Sequence, residues 1–131
     1  MITLDASCLI ALLEAGDPHH ETATSILRAF ETDQVQIHTI NLAEVLTGGV
    51  RGGQGAEMMA AIEAIDVTTA PGVPNEALRL AEIRHTTGLK LPDCCALLTA
   101  KANGFTLVTF DITLAKAARQ QGVTVIDQPT R

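Results

Sequence analysis

Four acidic residues in this chain are spaced so that they could share one task. Asp5 follows the apolar run Ile2-Thr3-Leu4, and Asp111 follows Leu107-Val108-Thr109-Phe110. Asp93 comes directly after Pro92 at the head of a long apolar stretch, and Glu44 is set among Leu42, Ala43, Val45 and Leu46. Read as local structure, Asp5 and Asp111 each end a strand and open a helix, and Asp93 opens another helix. In a parallel α/β sheet, helix openings and strand carboxyl ends lie on the same edge, where such sheets place their ligands. Four carboxylates meeting on one rim suggest a metal site. Two of them about 4 Å apart would repel by roughly 4 kcal/mol at an effective dielectric near 20. Protons or cations relieve such a cluster, and hard oxygen ligands select Mg²⁺ or Mn²⁺.

Each acid also has a purely local reading. Asp5 and Asp111 suit the caps of the helices that follow them, because a side-chain oxygen there accepts a free backbone N–H. Asp93 in a first turn is favoured by the helix dipole, by roughly 0.3–1 kcal/mol. Glu44 has no such explanation. Its neighbours read as buried, where an unpaired charge is expensive.

The elements that would position these acids alternate along the chain. Strands are expected at 1–4, 34–39, 65–68, 106–109 and 123–126. Helices are expected at 6–13, from the Asp17-Pro18 start signal onward, at 42–47 with Asn41 as cap, and at 56–65, 75–86, 92–102 and 112–121. Residues 48–55, rich in glycine, read as a flexible break. They follow a helix and lack the Lys-Ser/Thr ending of a phosphate-binding loop, so that reading is excluded. Asn103-Gly104 and Gly122 are helix stops, and residues 127–131 form a tail. Such alternation gives an α/β protein with a mostly parallel sheet covered by helices on both faces. At 131 residues the chain reads as a single domain, 1–131.

Composition narrows the function. No apolar run approaches the roughly 20 residues that cross a bilayer, and the amino end shows no basic region or cleavage site, so no membrane contact and no signal peptide are expected. The three cysteines (Cys8, Cys94, Cys95) lack metal-ligand spacing and read as reduced, buried residues of a cytoplasmic protein. Lys and Arg number 9 against 15 Asp and Glu, a formal net charge of −6. Taken alone, that balance argues against a nucleic-acid binder. With no Trp or Tyr and three Phe, a base-stacking platform is not expected either. Bound cations or a basic partner would resolve the tension. Arg51, Lys90 and Lys116 are the basic residues near the motifs that could grip phosphates. His19, His20, His38 and His85 show no ligand spacing and read as structural or surface residues.

The opening Leu4-Asp5-Ala6-Ser7-Cys8-Leu9-Ile10 resembles the start of PIN-domain proteins, above all the VapC-type toxins of toxin–antitoxin pairs. So do Asn41-Leu42-Ala43-Glu44-Val45-Leu46, Leu91-Pro92-Asp93-Cys94-Cys95-Ala96 and Leu107-Val108-Thr109-Phe110-Asp111, and Asp17-Pro18-His19-His20-Glu21 looks like the family's second-helix start. No single motif is specific; the ordered set is. The resemblance implies a three-layer α/β/α PIN-like fold and metal-dependent hydrolysis of RNA phosphodiesters. It puts the catalytic quartet on Asp5, Glu44, Asp93 and Asp111. Asp5 and Asp93 would hold the main Mg²⁺ (or Mn²⁺), with Asp111 completing the site or holding a second ion. Glu44 would act through a metal-bound water, and Ser7 or Thr109 would orient ligands or that water. It also implies an RNA substrate, a cognate antitoxin protein and a homodimer. Residues 56–65 or 75–80 are candidates for the dimer contact, and a basic antitoxin segment would enter the acidic groove.

Two rival readings remain. The chain could be a catalytically weak PIN-fold binding module whose acids serve structural or protein-binding roles, which a neutral residue at one of the four positions would favour. It could instead be a small phosphohydrolase or phosphoryl-transfer domain. However, the haloacid-dehalogenase pattern needs a second Asp where Ser7 stands, and the paired acids and later Lys of a receiver domain are absent.

Overall fold

The structure, a computed structural model, describes residues 1–128. Its strands are β1 (Ile2–Leu4), β2 (Val35–Ile37), β3 (Val67–Thr69), β4 (Thr106–Val108) and β5 (Val125–Ile126). They form one parallel sheet in the order β3-β2-β1-β4-β5, with Leu4 opposite both Ile37 and Val108. Parallel neighbours need long crossovers, which helices supply. Helices α1 (Ala6–Leu13) and α2 (His20–Ala29) join β1 to β2, and α3 (Thr39–Arg51) and α4 (Gly55–Ala64) join β2 to β3. Helices α5 (Glu76–Thr87) and α6 (Leu91–Asn103) carry the chain back to β4, and α7 (Ile112–Gln120) leads to β5.

Side chains alternate across a strand, so the sheet feeds two cores. Ile2, Leu4, Val35, Ile37 and Val108 pack under α1 to α4 with Leu9, Ile26, Val45 and Ile62. Leu107 points the other way, into a core with Leu97, Leu98, Leu114 and Val123. The result is three layers, helices on each face of the sheet. On the second face Thr3 and Gln36 are buried as well. Gln36 Nε2 donates to Thr3 Oγ1 at 3.2 Å, which removes much of the cost of burying two polar groups. Helix α6 is buried along the whole run from Cys94 to Ala100, as expected of a helix apolar on every side. All three cysteines are free and buried, and no described helix is long and apolar enough to cross a membrane.

From β1 the chain winds outward through β2 to β3, and from β4 it winds the opposite way to β5. The direction of winding therefore switches between β1 and β4. That crevice is where a doubly wound sheet binds its ligands.

Several boundaries differ from the sequence reading. Helix α2 begins at His20, not at Asp17-Pro18. Asp17 Oδ1 accepts the His19 N–H at 2.8 Å and stabilises a turn ahead of the helix. Strand β2 stops at Ile37, and α3 starts at Thr39 because His38 Nδ1 accepts the Ile40 N–H at 3.0 Å and caps it. Asn41 is thus a buried residue of the first helical turn, not the cap. The helix then runs through Gly48 and Gly49 to Arg51, leaving only residues 52–54 as the break. A Cβ on Gly49 would lie 2.9 Å from Met58 Sδ, so this glycine lets α4 press against α3. β3 is shifted to Val67–Thr69, and β5 keeps only Val125–Ile126 of the expected 123–126. Residues 129–131 of the expected tail lie outside the described residues.

Candidate functional site

Asp5 sits just past β1 and is 4% exposed. Its Oδ1 accepts the Cys8 N–H at 2.9 Å, which caps α1, and the Ser7 hydroxyl at 2.7 Å. Its Oδ2 accepts the Thr109 hydroxyl from the end of β4. Those two hydroxyls then accept in their turn: Ser7 Oγ from the Phe110 N–H at 3.2 Å, and Thr109 Oγ1 from the Asp111 N–H at 3.0 Å. The loop after β4 is therefore laced to Asp5 by both hydroxyls that the sequence singled out. Burial pushes the Asp5 carboxyl above the usual carboxylate range; hydrogen bonds from Thr109, Ser7 and Cys8 oppose that rise, and the Asp111 charge adds to it.

Asp111 is exposed, and its Oδ1 accepts the Leu114 N–H at 2.9 Å to cap α7. The capping reading of Asp5 and Asp111 thus holds, and it does not compete with the shared-site reading. Capping is how the fold fixes both acids on the switch-point rim.

Asp93 lies in the first turn of α6, half-buried, with no hydrogen bond to its carboxylate among the described residues. Its carboxyl is pushed up to about 6, by burial first and then by the charges of Asp111, Asp5 and Glu44, with Lys90 alone pulling down. The four acids therefore share one electrostatic field. Glu44 corrects the sequence reading: it is exposed, because the buried stripe of α3 is Asn41, Leu42, Val45 and Gly49.

Sequence reasoning missed Asn41 as a site residue. It is 2% exposed, and its Nδ2 donates to Pro92 O at 3.0 Å and, at a longer 3.4 Å, to Glu44 Oε1. One amide thus ties the helix of Glu44 to the turn that carries Asp93. The signal available was a polar residue three positions before Glu44 in an apolar run, hence on the same helical face. The second omission is aromatic: His19 stacks on Phe110 with ring centroids 4.5 Å apart and planes 4° apart.

Of the basic candidates, Lys90 precedes α6 and acts on Asp93. Exposed Arg51, in the last turn of α3, lines a hollow with Glu44, Glu14 and Gly48. Lys116 is exposed on α7, and no hydrogen bond or ion pair ties it to the acids among the described residues.

The family model for the PIN domain matches residues 2–120. The chain belongs to the PIN-domain family. No curated protein matches it. Among solved structures it is similar to a chain of a toxin–antitoxin complex from Klebsiella pneumoniae, with a TM-score of 0.75, 24% identity, and 100% and 99% of the two chains covered. It is similar to FitAcB from Neisseria gonorrhoeae with a TM-score of 0.70, 22% identity and 97% of each chain covered. Mycobacterium tuberculosis VapC20, a Sarcin-Ricin loop cleaving toxin, gives a TM-score of 0.67 at 20% identity, with 89% of this chain and 95% of that chain covered. At these identities the likenesses speak for a shared fold.

The acid cluster of this PIN domain fits a divalent cation in donor type and in charge. Its donors are carboxylate oxygens, which suit hard ions, and beyond burial three acids raise the Asp93 carboxyl against a single opposing lysine. Among the described residues no three acids, histidines or cysteines already stand as a ready-made ligand group. The hydrogen-bonded oxygens of Asp5 and Asp111 still keep spare lone pairs.

The raised Asp93 carboxyl has a consequence for stability. Folded, it holds its proton to about 6; unfolded, a free Asp releases it near 3.9. Between those values the folded chain binds more protons, so this group's contribution to stability falls as pH rises from about 4 to about 6. In chelator, the difference in urea midpoint between Asp93→Asn and the parent protein should therefore widen from pH 4.5 to pH 7.5, in favour of the variant. Parallel pH profiles would show that Asp93 is not under this strain.

Proposed function

We propose that this PIN domain is a divalent-cation-dependent endoribonuclease and the toxin of a toxin–antitoxin pair. The observation that carries the reading is the network at the rim, in which Thr109 joins Asp5 to the Asp111 backbone and Asn41 ties the helix of Glu44 to the turn of Asp93. The similarity to toxin–antitoxin proteins, one of them described as cleaving the Sarcin-Ricin loop, supports it.

Asp5, Asp93 and Asp111 would hold Mg²⁺ or Mn²⁺. When bound, the ion lowers the pKa of water and offsets charge at the phosphorus. The chain's own residues do the rest. Ser7 and Thr109 fix the orientation of the Asp5 carboxylate through the bonds described above. Glu44, exposed beside the cluster, takes the proton of the attacking water as a general base. The water oxygen bonds to phosphorus as the bond to the ribose oxygen breaks, that oxygen leaves and takes a proton from solvent, and no enzyme-linked intermediate is needed. Lys90 and Arg51 would meet phosphates, and Lys116 would serve an outlying one.

An antitoxin with a basic segment suits the acidic rim and would also silence it. A homodimer through α4 or the start of α5 fits the exposure of Ile65 (37%) and Leu78 (64%). The reading places the protein in the cytoplasm, acting as a single domain.

The test is cleavage of a mixed RNA pool by purified protein with Mg²⁺, with Mn²⁺ and with chelator. Cutting that needs the metal and disappears in Asp93→Asn is the expected result. Cutting that ignores chelator points to a contaminant. A folded protein that binds Mg²⁺ and cuts no RNA, structured or single-stranded, would leave the binding-module reading in its place.

A further inference from the structure

We infer that His19 and Phe110 form a stacking platform for one nucleobase of a single-stranded RNA, beside the phosphate that is cut. The inference rests on the ribonuclease reading and adds a subsite to it. The two rings are nearly parallel, 4° apart with centroids at 4.5 Å, a separation at which aromatic faces attract. Phe110 is half-buried, whereas His19 is exposed even though one face of its ring lies on the phenyl group. The uncovered face of the imidazole is therefore open to a third ring.

The platform is also rigidly joined to the acids. Phe110 lies between Thr109 and Asp111, and its N–H donates to Ser7 Oγ, so its backbone belongs to the network around Asp5. His19 is pinned from its own side: its N–H donates to Asp17 Oδ1 at 2.8 Å, and its carbonyl accepts the Ala23 N–H at 2.9 Å. Next to it, His20 Nδ1 meets Ala11 O at 2.7 Å, fastening this turn to α1. A base laid on His19 would reach the rim with little ordering left to do.

Charge explains why such a device is useful here. A chain of net charge −6 has few cations to spare for phosphate contacts. Stacking needs no cation and accepts any base, since every base has a π-face, and splayed RNA bases stack on His as well as on Phe, Tyr and Trp. Composition hid the platform because half of it is a histidine. The competing view is that His19 only shields Phe110 from water.

The chain has no Trp, so His19→Trp places its sole indole on the platform. In an Asp93→Asn background, which binds without cutting, a short single-stranded RNA should quench that indole and an abasic strand of equal length should not. In the otherwise native protein, His19→Ala should raise KM about 5- to 100-fold, by more than it lowers kcat, and His19→Phe should restore it. An indole that stays bright with RNA shown bound by gel shift overturns the platform, as does His19→Phe behaving like His19→Ala. Both results leave the ribonuclease reading intact if the parent protein cuts. A parent protein that neither cuts nor binds RNA ends both.

Discussion

Replacing Asp93 with Asn should make the protein more stable and, at the same time, reduce metal-supported RNA cleavage by about three orders of magnitude, roughly 4 kcal/mol of transition-state stabilisation. The two signs come from one feature. The Asp93 carboxylate accepts no hydrogen bond among the described residues, and burial first, then three like charges, push it up to about 6 while Lys90 alone counters them. The α6 dipole and Lys90 favour its charge only modestly, by roughly 0.3–1 kcal/mol for the dipole. An amide of the same shape therefore relieves burial of the charge and repulsion and breaks no hydrogen bond. The reaction does need it, because a neutral amide is a poor substitute for an anionic oxygen in a cluster that must hold a divalent ion. This is the trade between stability and activity expected of a strained site.

Asp5 sets the contrast. Its carboxylate accepts from Cys8, Ser7 and Thr109, and an amide there would turn a donor toward groups that already donate. Asp5→Asn should therefore lose activity and stability together. The pair is read by cleavage rates at saturating Mg²⁺ and by urea midpoints in chelator at pH 7.5. An Asp93→Asn protein less stable than its parent would remove the electrostatic account of the site. One that cut RNA at the parent rate would remove Asp93 from the chemistry.

The sequence showed the alternation of strands and helices, and with it the edge on which Asp5, Asp93 and Asp111 stand. That much is legible because period-two and period-3.6 patterns report burial, and burial follows layer architecture. Two things escaped. Glu44 read as buried because its immediate neighbours are apolar, yet on a helix the adjacent positions point elsewhere, and the buried stripe runs through Asn41, Leu42, Val45 and Gly49. Gly48 and Gly49 read as a break because glycine is costly in a helix interior by roughly 1 kcal/mol. At Gly49 the close approach of Met58 at 2.9 Å gives that glycine a packing role that no local pattern shows. The stack of His19 on Phe110 joins residues far apart in the chain, and only the completed sheet brings them together.

Asn41 poses the sharpest question of side-chain chemistry, and Asn41→Asp should be the most destabilising single change near the site. The amide nitrogen donates to Pro92 O at 3.0 Å and lies 3.4 Å from Glu44 Oε1, and the amide oxygen is buried without a partner among the described residues. An aspartate of the same shape turns both donor contacts into oxygen facing oxygen and adds a buried negative charge beside Glu44. A buried ion left without its partner costs roughly 3–5 kcal/mol, so Asn41→Asp should lose about that much stability at pH 7.5. Asn41→Leu separates packing from function. It removes the orphaned oxygen, a group whose burial costs about 1–3 kcal/mol, and also the donor, so its net effect on stability should be small. Its cleavage rate should nevertheless fall roughly 10- to 100-fold, the usual cost of losing a group that orients metal-site residues, because Glu44 and the Pro92-Asp93 turn are no longer tied. An apolar residue would thus serve the core as well as Asn41 does, and the reason for an amide lies in the tie. If urea denaturation shows Asn41→Asp within about 1 kcal/mol of the parent, the tie between α3 and α6 is not made by the Asn41 amide.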